Sequence, residues 1–229
     1  MSNKNQKTGL LLIDKPQGPT SHDMVDQVRE ITGMEKIGHT GTLDPQAEGL
    51  LILLIGREAT KKQSEFLKLD KEYEAEIKLG EETDTLDSNG KTTNIYEGDW
   101  PNEKEISSLL DKFKGGYHQV PPAYSAKRVD GERAYKLARK GEKPELEPEK
   151  VDIYKIKLVD YSSPKIRIRI QCSKGTYIRS LARDIGKKLG CGAHLTFLRR
   201  TKIGDYELEN AISLSELTSK NWQNYLKKV

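Results

Sequence analysis

The chain has 229 residues, with 39 Lys plus Arg against 35 Asp plus Glu, a formal net charge of +4, and 32% charged against 34% apolar residues. Its longest aliphatic run, Leu50 to Ile55, is too short for a transmembrane helix, and Met1 to Lys7 lack the apolar stretch of a secretory signal. Cys172 and Cys191 are too few for a disulfide framework or a four-cysteine zinc site, so a cytoplasmic protein is expected.

Gly9 to Asp14 reads as a buried strand and Lys15 to Pro19 as a turn. Thr20 then caps a helix, with Asp23 three residues on, and Met24, Val28 and Ile31 follow the helical period until Gly33. Residues 34–49 form a Gly-, Thr- and Asp-rich loop ahead of a second buried strand, Leu50 to Ile55, and a helix running to Lys68. Tyr73, Ala75, Ile77 and Leu79 alternate with Glu72, Glu74, Glu76 and Lys78, a half-buried strand with an acidic outer face. A turn at Ser88-Asn89-Gly90 leads to a strand at Thr92–Tyr96, and Pro101 to Lys114 reads as a helix.

Val120 to Gly141 contains two prolines and then a short basic helix, the character of an exposed functional insertion. Val151 to Tyr161 is a strand; Ile166, Ile168, Ile170 and Cys172 form one face of another, with Arg167 and Arg169 on the opposite face. A helix from Thr176 to Leu189 ends at Gly190, a short strand spans Leu195 to Leu198, and Ser213 to Lys228 reads as a last amphipathic helix. Clustered strands with occasional helices argue α+β with a mixed, mainly antiparallel sheet and flanking helices.

The small net charge hides an asymmetry. Residues 65–105 carry 13 acids against 5 bases, residues 112–140 carry 8 bases against 2 acids, and residues 165–202 carry 11 bases against one acid. Two separated basic segments, each with aromatics, favour a nucleic-acid partner over a merely solvated face.

His22, His39, His118 and His194 include no pair at metal-ligand spacing with a carboxylate or cysteine, so no metal is expected. Neither a phosphate-binding loop nor a dinucleotide fingerprint is present, so no nucleotide cofactor is expected, and Ser125 lacks the glycine elbow of an acyl-transfer nucleophile. What remains is the loop Lys36 to Pro45, where two glycines and a proline frame Asp44 just before a buried strand. It suits the rigid display of a carboxylate, though Asp-Pro alone would sooner be read as an ordinary Asx turn. In Cys172 to Arg179, a strand passes into a helix whose start carries Tyr177 and Arg179. Arg179 could hold a carboxylate ionised, contact a phosphate or serve structure alone.

The segments GLLLIDKPQGPTSHDMV, GHTGTLDPQAEGLL, EYEAEIKLGEETDT, PPAYSAKRVDGERAYKLAR and CSKGTYIRSLARDIGKKLGCGAHLTFLRR, in that order from Gly9 to Gly204, resemble the TruB family of tRNA pseudouridine synthases. The resemblance implies the pseudouridine-synthase fold with a central catalytic cleft, and conversion of uridine to pseudouridine at position 55 in the T loop of tRNA. It implies that Asp44 is the catalytic aspartate, Tyr73 stacks on the target uracil, and Arg179 pairs with the aspartate. Tyr177 and Leu198 line the base pocket, His39 fills the place the uridine vacates, and Lys15 supports the active-site loops. Lys127, Arg128, Arg133, Lys136, Arg167 and Arg169 would hold RNA phosphates. No cofactor is implied, because the isomerisation involves neither redox change nor phosphoryl transfer.

On this reading residues 1–210 form the catalytic domain, with an RNA-binding insertion at about 120–143, and residues 211–229 a C-terminal helix. Longer members of the family carry a PUA-type RNA-binding domain; with 21 residues after Leu208, no complete PUA domain is expected here. The expected partner is the tRNA T stem-loop, bound by a monomer without a membrane or an obligate protein partner. The alternatives are a tRNA-folding chaperone that needs no catalysis and a related synthase acting on another RNA.

Overall fold

The computed structural model describes residues 8–229 except Asp130. The chain divides into two compact units, one formed by residues up to Tyr73 together with those from Leu198 onward, the other by Glu74–Phe197.

The first unit opens with β1 (Gly9–Lys15), α1 (Ser21–Thr32), β2 (Ile37–His39), β3 (Glu48–Ile55) and two short helices, α2 (Arg57–Lys61) and α3 (Gln63–Leu67). β1 and β3 pair antiparallel, with Leu11 opposite Leu53 and Leu12 opposite Ile52. The two-residue period of a strand sends alternate side chains to opposite faces, and here both faces are covered. Leu11, Ile13, Leu51, Leu53 and Ile55 pack with Met24, Val25 and Val28 of α1. Leu10, Leu12, Leu50, Ile52 and Leu54 pack with Ala59 and Phe66. This double burial explains why both strands are unbroken apolar runs.

Helix α1 has the expected capping box, Thr20 with Asp23, and stops at Gly33 in the left-handed region (φ 67°). The single helix expected to reach Lys68 is instead α2 and α3, split at Lys62 by three-residue turns, Lys62 N–H to Ala59 O and Glu65 N–H to Lys62 O.

The second unit contains most of β4 (Lys71–Leu79), the hairpin β5 (Glu81–Thr83) and β6 (Thr92–Ile95), α4 (Glu103–Asp111) and β7 (Gly115–Gln119). A small hairpin, β8 (Arg128–Val129) and β9 (Glu132–Arg133), precedes α5 (Ala134–Arg139), β10 (Glu149–Ser162), β11 (Lys165–Cys172), α6 (Ile178–Leu189) and β12 (Ala193–Ile203). Its strands run in the order β4-β11-β10-β7. Ile166, Ile168, Ile170 and Cys172 of β11 are buried as their alternation predicts, and α6 buries Ile178, Leu181, Ala182 and Ile185. Strand β7 is not legible in Gly-Gly-Tyr-His-Gln; its pairing with Glu149–Ile153 of β10 creates it. β12 outruns the expected Leu195–Leu198 because Arg199 and Arg200 continue it in parallel beside Glu48 and Gly49.

The chain re-enters the first unit along β12 and adds β13 (Tyr206–Glu207) and β14 (Ile212–Ser213), giving the order β14-β1-β3-β12 there. The sheet is mixed and mainly antiparallel, β1–β14 and β3–β12 being parallel, and the fold class is α+β as expected. The C-terminal α-helix expected from Ser213 to Lys228 does not form; two 3-10 turns, Leu214–Glu216 and Trp222–Tyr225, take its place. Local side chains outcompete helical bonds there. Asn221 Oδ1 accepts from Thr218 N–H at 2.7 Å, and the Asn221 amide donates to Glu216 O at 2.9 Å. Leu217 and Trp222 are thereby freed to pack on the α1 core. Among the described residues no helix is long and apolar enough to cross a membrane.

Candidate active site

In the first unit, the loop between β2 and β3 is held by hydrogen bonds on both sides of Asp44. Ser21, buried in the first turn of α1, accepts from Leu43 N–H at 2.8 Å and donates to Leu43 O at 3.0 Å. Asp44 O accepts from Ala47 N–H at 3.0 Å, and Pro45 O from Gly18 N–H at 2.7 Å. The Lys15 ammonium donates to Pro16 O at 2.9 Å, Pro45 O at 3.4 Å and Ala47 O at 2.6 Å. Lys15 is fully enclosed, and burial lowers its pKa to about 8, opposed by the nearby carboxylate of Asp44. Two of these three carbonyls, those of Pro45 and Ala47, belong to the loop that carries Asp44.

Arg200, which the sequence reading passed over, is fully buried and donates to Leu50 O at 2.8 Å and Gly41 O at 3.2 Å. Gly41 has φ 121°, which favours glycine, and Gly49 has no room for a side chain because a Cβ there would lie 2.4 Å from Arg200 O. The loop is thus stapled to β3 and β12. His39 stands at its start, half-buried with an enclosed, unpartnered Nδ1, and burial followed by the charge of Arg200 pushes its pKa down. Its carbonyl accepts from Gln63 Nε2 at 2.7 Å. Tyr73 on β4 is buried and Leu198 on β12 half-buried.

In the second unit, Tyr177 is the N-cap of α6 and Arg179 lies in its first turn. Burial raises the pKa of the Tyr177 hydroxyl, so it stays protonated at neutral pH. The Arg179 side chain is 8% exposed, and its guanidinium donates to Thr85 O at 3.1 Å and Tyr124 O at 2.9 Å and stands 3.8 Å from an Asp87 carboxylate oxygen. Asp87 escaped the sequence reading, which saw only the turn that follows it. Its other oxygen accepts from Thr85 Oγ1 at 2.7 Å and Asn89 N–H at 3.1 Å, and Leu86 beside it sits at φ 64°, an unusual backbone for leucine.

The expected phosphate-binding residues fall into two groups. Arg167 and Arg169 face outward from β11 and pair with Glu76 and Glu74 of β4. Glu76 also takes Lys165 at 2.8 Å and Thr196 Oγ1 at 3.0 Å, and Lys165 foremost holds its carboxyl below the usual range. The acidic and basic stripes read separately in the sequence therefore neutralise each other across two strands. Lys127 pairs with Glu149 at 2.5 Å, whereas Arg128, Arg133 and Lys136 are exposed on the small hairpin and α5. Among the described residues no group of three His, Cys, Asp or Glu is placed to hold a metal ion.

A family model described as "TruB family pseudouridylate synthase (N terminal domain)" matches residues 29–178, and one described as "tRNA pseudouridylate synthase B C-terminal domain" matches residues 179–229. The chain belongs to the TruB family. Among curated TruB relatives, the tRNA pseudouridine synthase B of Caldanaerobacter subterraneus subsp. tengcongensis is 46% identical over 212 residues, covering 91% of this chain and 73% of the relative. That of Aquifex aeolicus is 46% identical over 221 residues, covering 95% and 76%. Among solved structures, a Cbf5-Nop10-Gar1 complex matches with TM-score 0.73 and 29% identity, covering 96% of this chain and 60% of the other. An H/ACA RNP bound to a substrate RNA containing 2'-deoxyuridine matches with TM-score 0.70 and 30% identity, covering 94% and 55%. This chain thus spans little more than half the length of those structural neighbours. The TruB assignment makes the chain a pseudouridine synthase by family and fold, and the loop carrying Asp44 lies within the matched N-terminal region.

Proposed function

We propose that the chain converts uridine to pseudouridine at position 55 in the T loop of tRNA, with Asp44 as the catalytic carboxylate. The observation that carries this reading is the loop around Asp44. Its flanking peptide groups are fixed by Ser21, Gly18 and Lys15, the kind of rigid support that a reacting side chain needs and a mere turn does not. The curated relatives named tRNA pseudouridine synthase B support tRNA as the substrate.

In the reaction the N1–C1′ bond breaks, the uracil turns, and a C5–C1′ bond forms. One proton leaves C5 and N1 ends protonated, so the product is an isomer and no cofactor or electron carrier is required. Asp44 assists detachment by attack on ribose or uracil, or by stabilising the separating charge. Extruding the base costs a few kcal/mol, and stacking on an aromatic such as Tyr73 returns about 1–3 kcal/mol. Tyr177 and Leu198 contact the base, and His39, neutral at pH 7, fills the gap left in the RNA. Arg128, Arg133 and Lys136 provide phosphate contacts; Arg167 and Arg169 would have to exchange their glutamate partners to do so. The protein acts as a monomer without an obligate partner.

The test is pseudouridine mapping of total tRNA and of a pre-folded T stem-loop after incubation with the pure protein. A single new pseudouridine at position 55 supports the reading. Modification at other sites only would favour a synthase for another RNA, and tRNA refolding without any pseudouridine would favour a chaperone.

A further inference from the structure

We infer that Gln119 is a positioning residue that sets the first turn of α6 and with it Tyr177. The inference rests on the proposed role of Tyr177 in pseudouridine formation and deepens it.

Gln119 ends β7 and is 2% exposed. A buried amide costs free energy unless both its ends are paired. Both ends are. Its Oε1 accepts from the backbone N–H of Tyr177 at 2.8 Å, and its Nε2 donates to the hydroxyl of Tyr117. A backbone N–H can only donate, so the Tyr177 contact fixes which way the amide points and leaves the NH2 group for Tyr117. Tyr117 and Gln119 are two residues apart on one strand and share a face. Tyr117 is itself wedged edge-on against Phe113, with ring centroids 5.4 Å apart, so the amide is anchored to packed aromatics.

Tyr177 is the N-cap of α6, and no side chain caps that helix. An N-terminus without a cap frays readily, because its first N–H groups have no helical partner. Gln119 supplies an outside acceptor at the cap residue itself. The segment that follows extends the hold. Val120 O accepts from Ser180 Oγ at 2.9 Å and from Arg183 at 3.1 Å, and Tyr124 O accepts from Arg179 at 2.9 Å. The strap from Gln119 to Tyr124 therefore engages α6 at residues 177, 179, 180 and 183. An aliphatic residue at 119 would satisfy burial but not orientation; glutamine at this place serves geometry.

The experiment compares Gln119→Leu, Gln119→Glu and Tyr117→Phe with the wild type in single-turnover pseudouridine formation on a T stem-loop, alongside RNA affinity and amide hydrogen exchange at Tyr177. Gln119→Leu is expected to lower the saturated rate at least tenfold, leave RNA affinity within threefold, and speed Tyr177 exchange while exchange at the β1 and β3 amides is unchanged. Gln119→Glu keeps the acceptor and is expected to recover most of the rate. Tyr117→Phe removes only the anchor and is expected to fall between. A wild-type rate in Gln119→Leu, or equal losses in Gln119→Leu and Gln119→Glu, would overturn the inference. If the wild-type protein forms no pseudouridine on any RNA, the proposed function fails, and an unchanged Tyr177 exchange rate in Gln119→Leu then overturns the positioning claim separately.

Discussion

The hydroxyl of Ser21 bonds both the N–H and the C=O of Leu43, at 2.8 and 3.0 Å, so one side chain in α1 fixes the peptide unit on each side of the residue that precedes Asp44. Both bonds are enclosed, so removing the hydroxyl strips each Leu43 group of this partner. Ser21→Ala is expected to cost about 1–3 kcal/mol of stability, the usual range when buried polar groups lose a partner. It should also slow pseudouridine formation by about tenfold or more through misplacement of Asp44. Urea melts and single-turnover rates check both, and Ser21→Ala with wild-type turnover would show that the clamp is not needed for catalysis.

Asp44→Asn keeps the shape of the loop and removes the negative charge. Pseudouridine formation should vanish while RNA binding stays within about tenfold, or 1.4 kcal/mol. Mapping of modified RNA and a binding titration check this; substantial turnover would remove Asp44 from the chemistry.

Lys15 ties pH to both stability and rate. Its folded pKa of about 8 lies below the ordinary 10.5, so between those values the unfolded chain binds more protons than the native one. Its contribution to stability is therefore least favourable below pH 8 and improves as pH rises towards 10.5. Activity should move the other way, falling on an alkaline limb centred near pH 8 as the three carbonyls lose their charged donor. Denaturant melts at pH 7, 8.5 and 10 should show a rising lysine contribution that Lys15→Met lacks, and Lys15→Met should have no limb at pH 8.

Tyr73 offers a ring for stacking on the uracil, so Tyr73→Phe should retain most activity and Tyr73→Ala should lose it, in line with about 1–3 kcal/mol per stacked base. Rates for both variants on the same stem-loop decide between the ring and the hydroxyl; equal losses would point to the hydroxyl.

The basic residues should separate by their partners. Neutralising the exposed Arg128, Arg133 and Lys136 together should flatten the log K against log salt slope by roughly two to three units, near one per lost phosphate contact. Neutralising Arg167 and Arg169, paired with Glu76 and Glu74, should change it by less than about one unit. Fluorescence titrations of tRNA across a salt series check this, and a larger effect from the β11 pair would reverse the order.

Local periodicity made much of this protein legible from its residues alone. The runs of β1 and β3, the Thr20–Asp23 cap, the apolar stripe of α6 and the alternation of β11 each state their own burial, because strand and helix periods are short-range properties. The Asp44 loop stood out for its glycines and proline, and the combined motifs pointed to the TruB family. Tertiary structure alone decided the contacts that join distant segments. Ser21 meets Leu43 across 22 residues and Gln119 meets Tyr177 across 58, while Asp87, between β5 and β6, reaches Arg179 at the start of α6. It also turned the two opposite charge stripes into ion pairs and replaced the C-terminal helix with 3-10 turns. Periodicity reports which face of an element is buried; the partner of a buried polar group is set by where the fold brings two far-apart segments together.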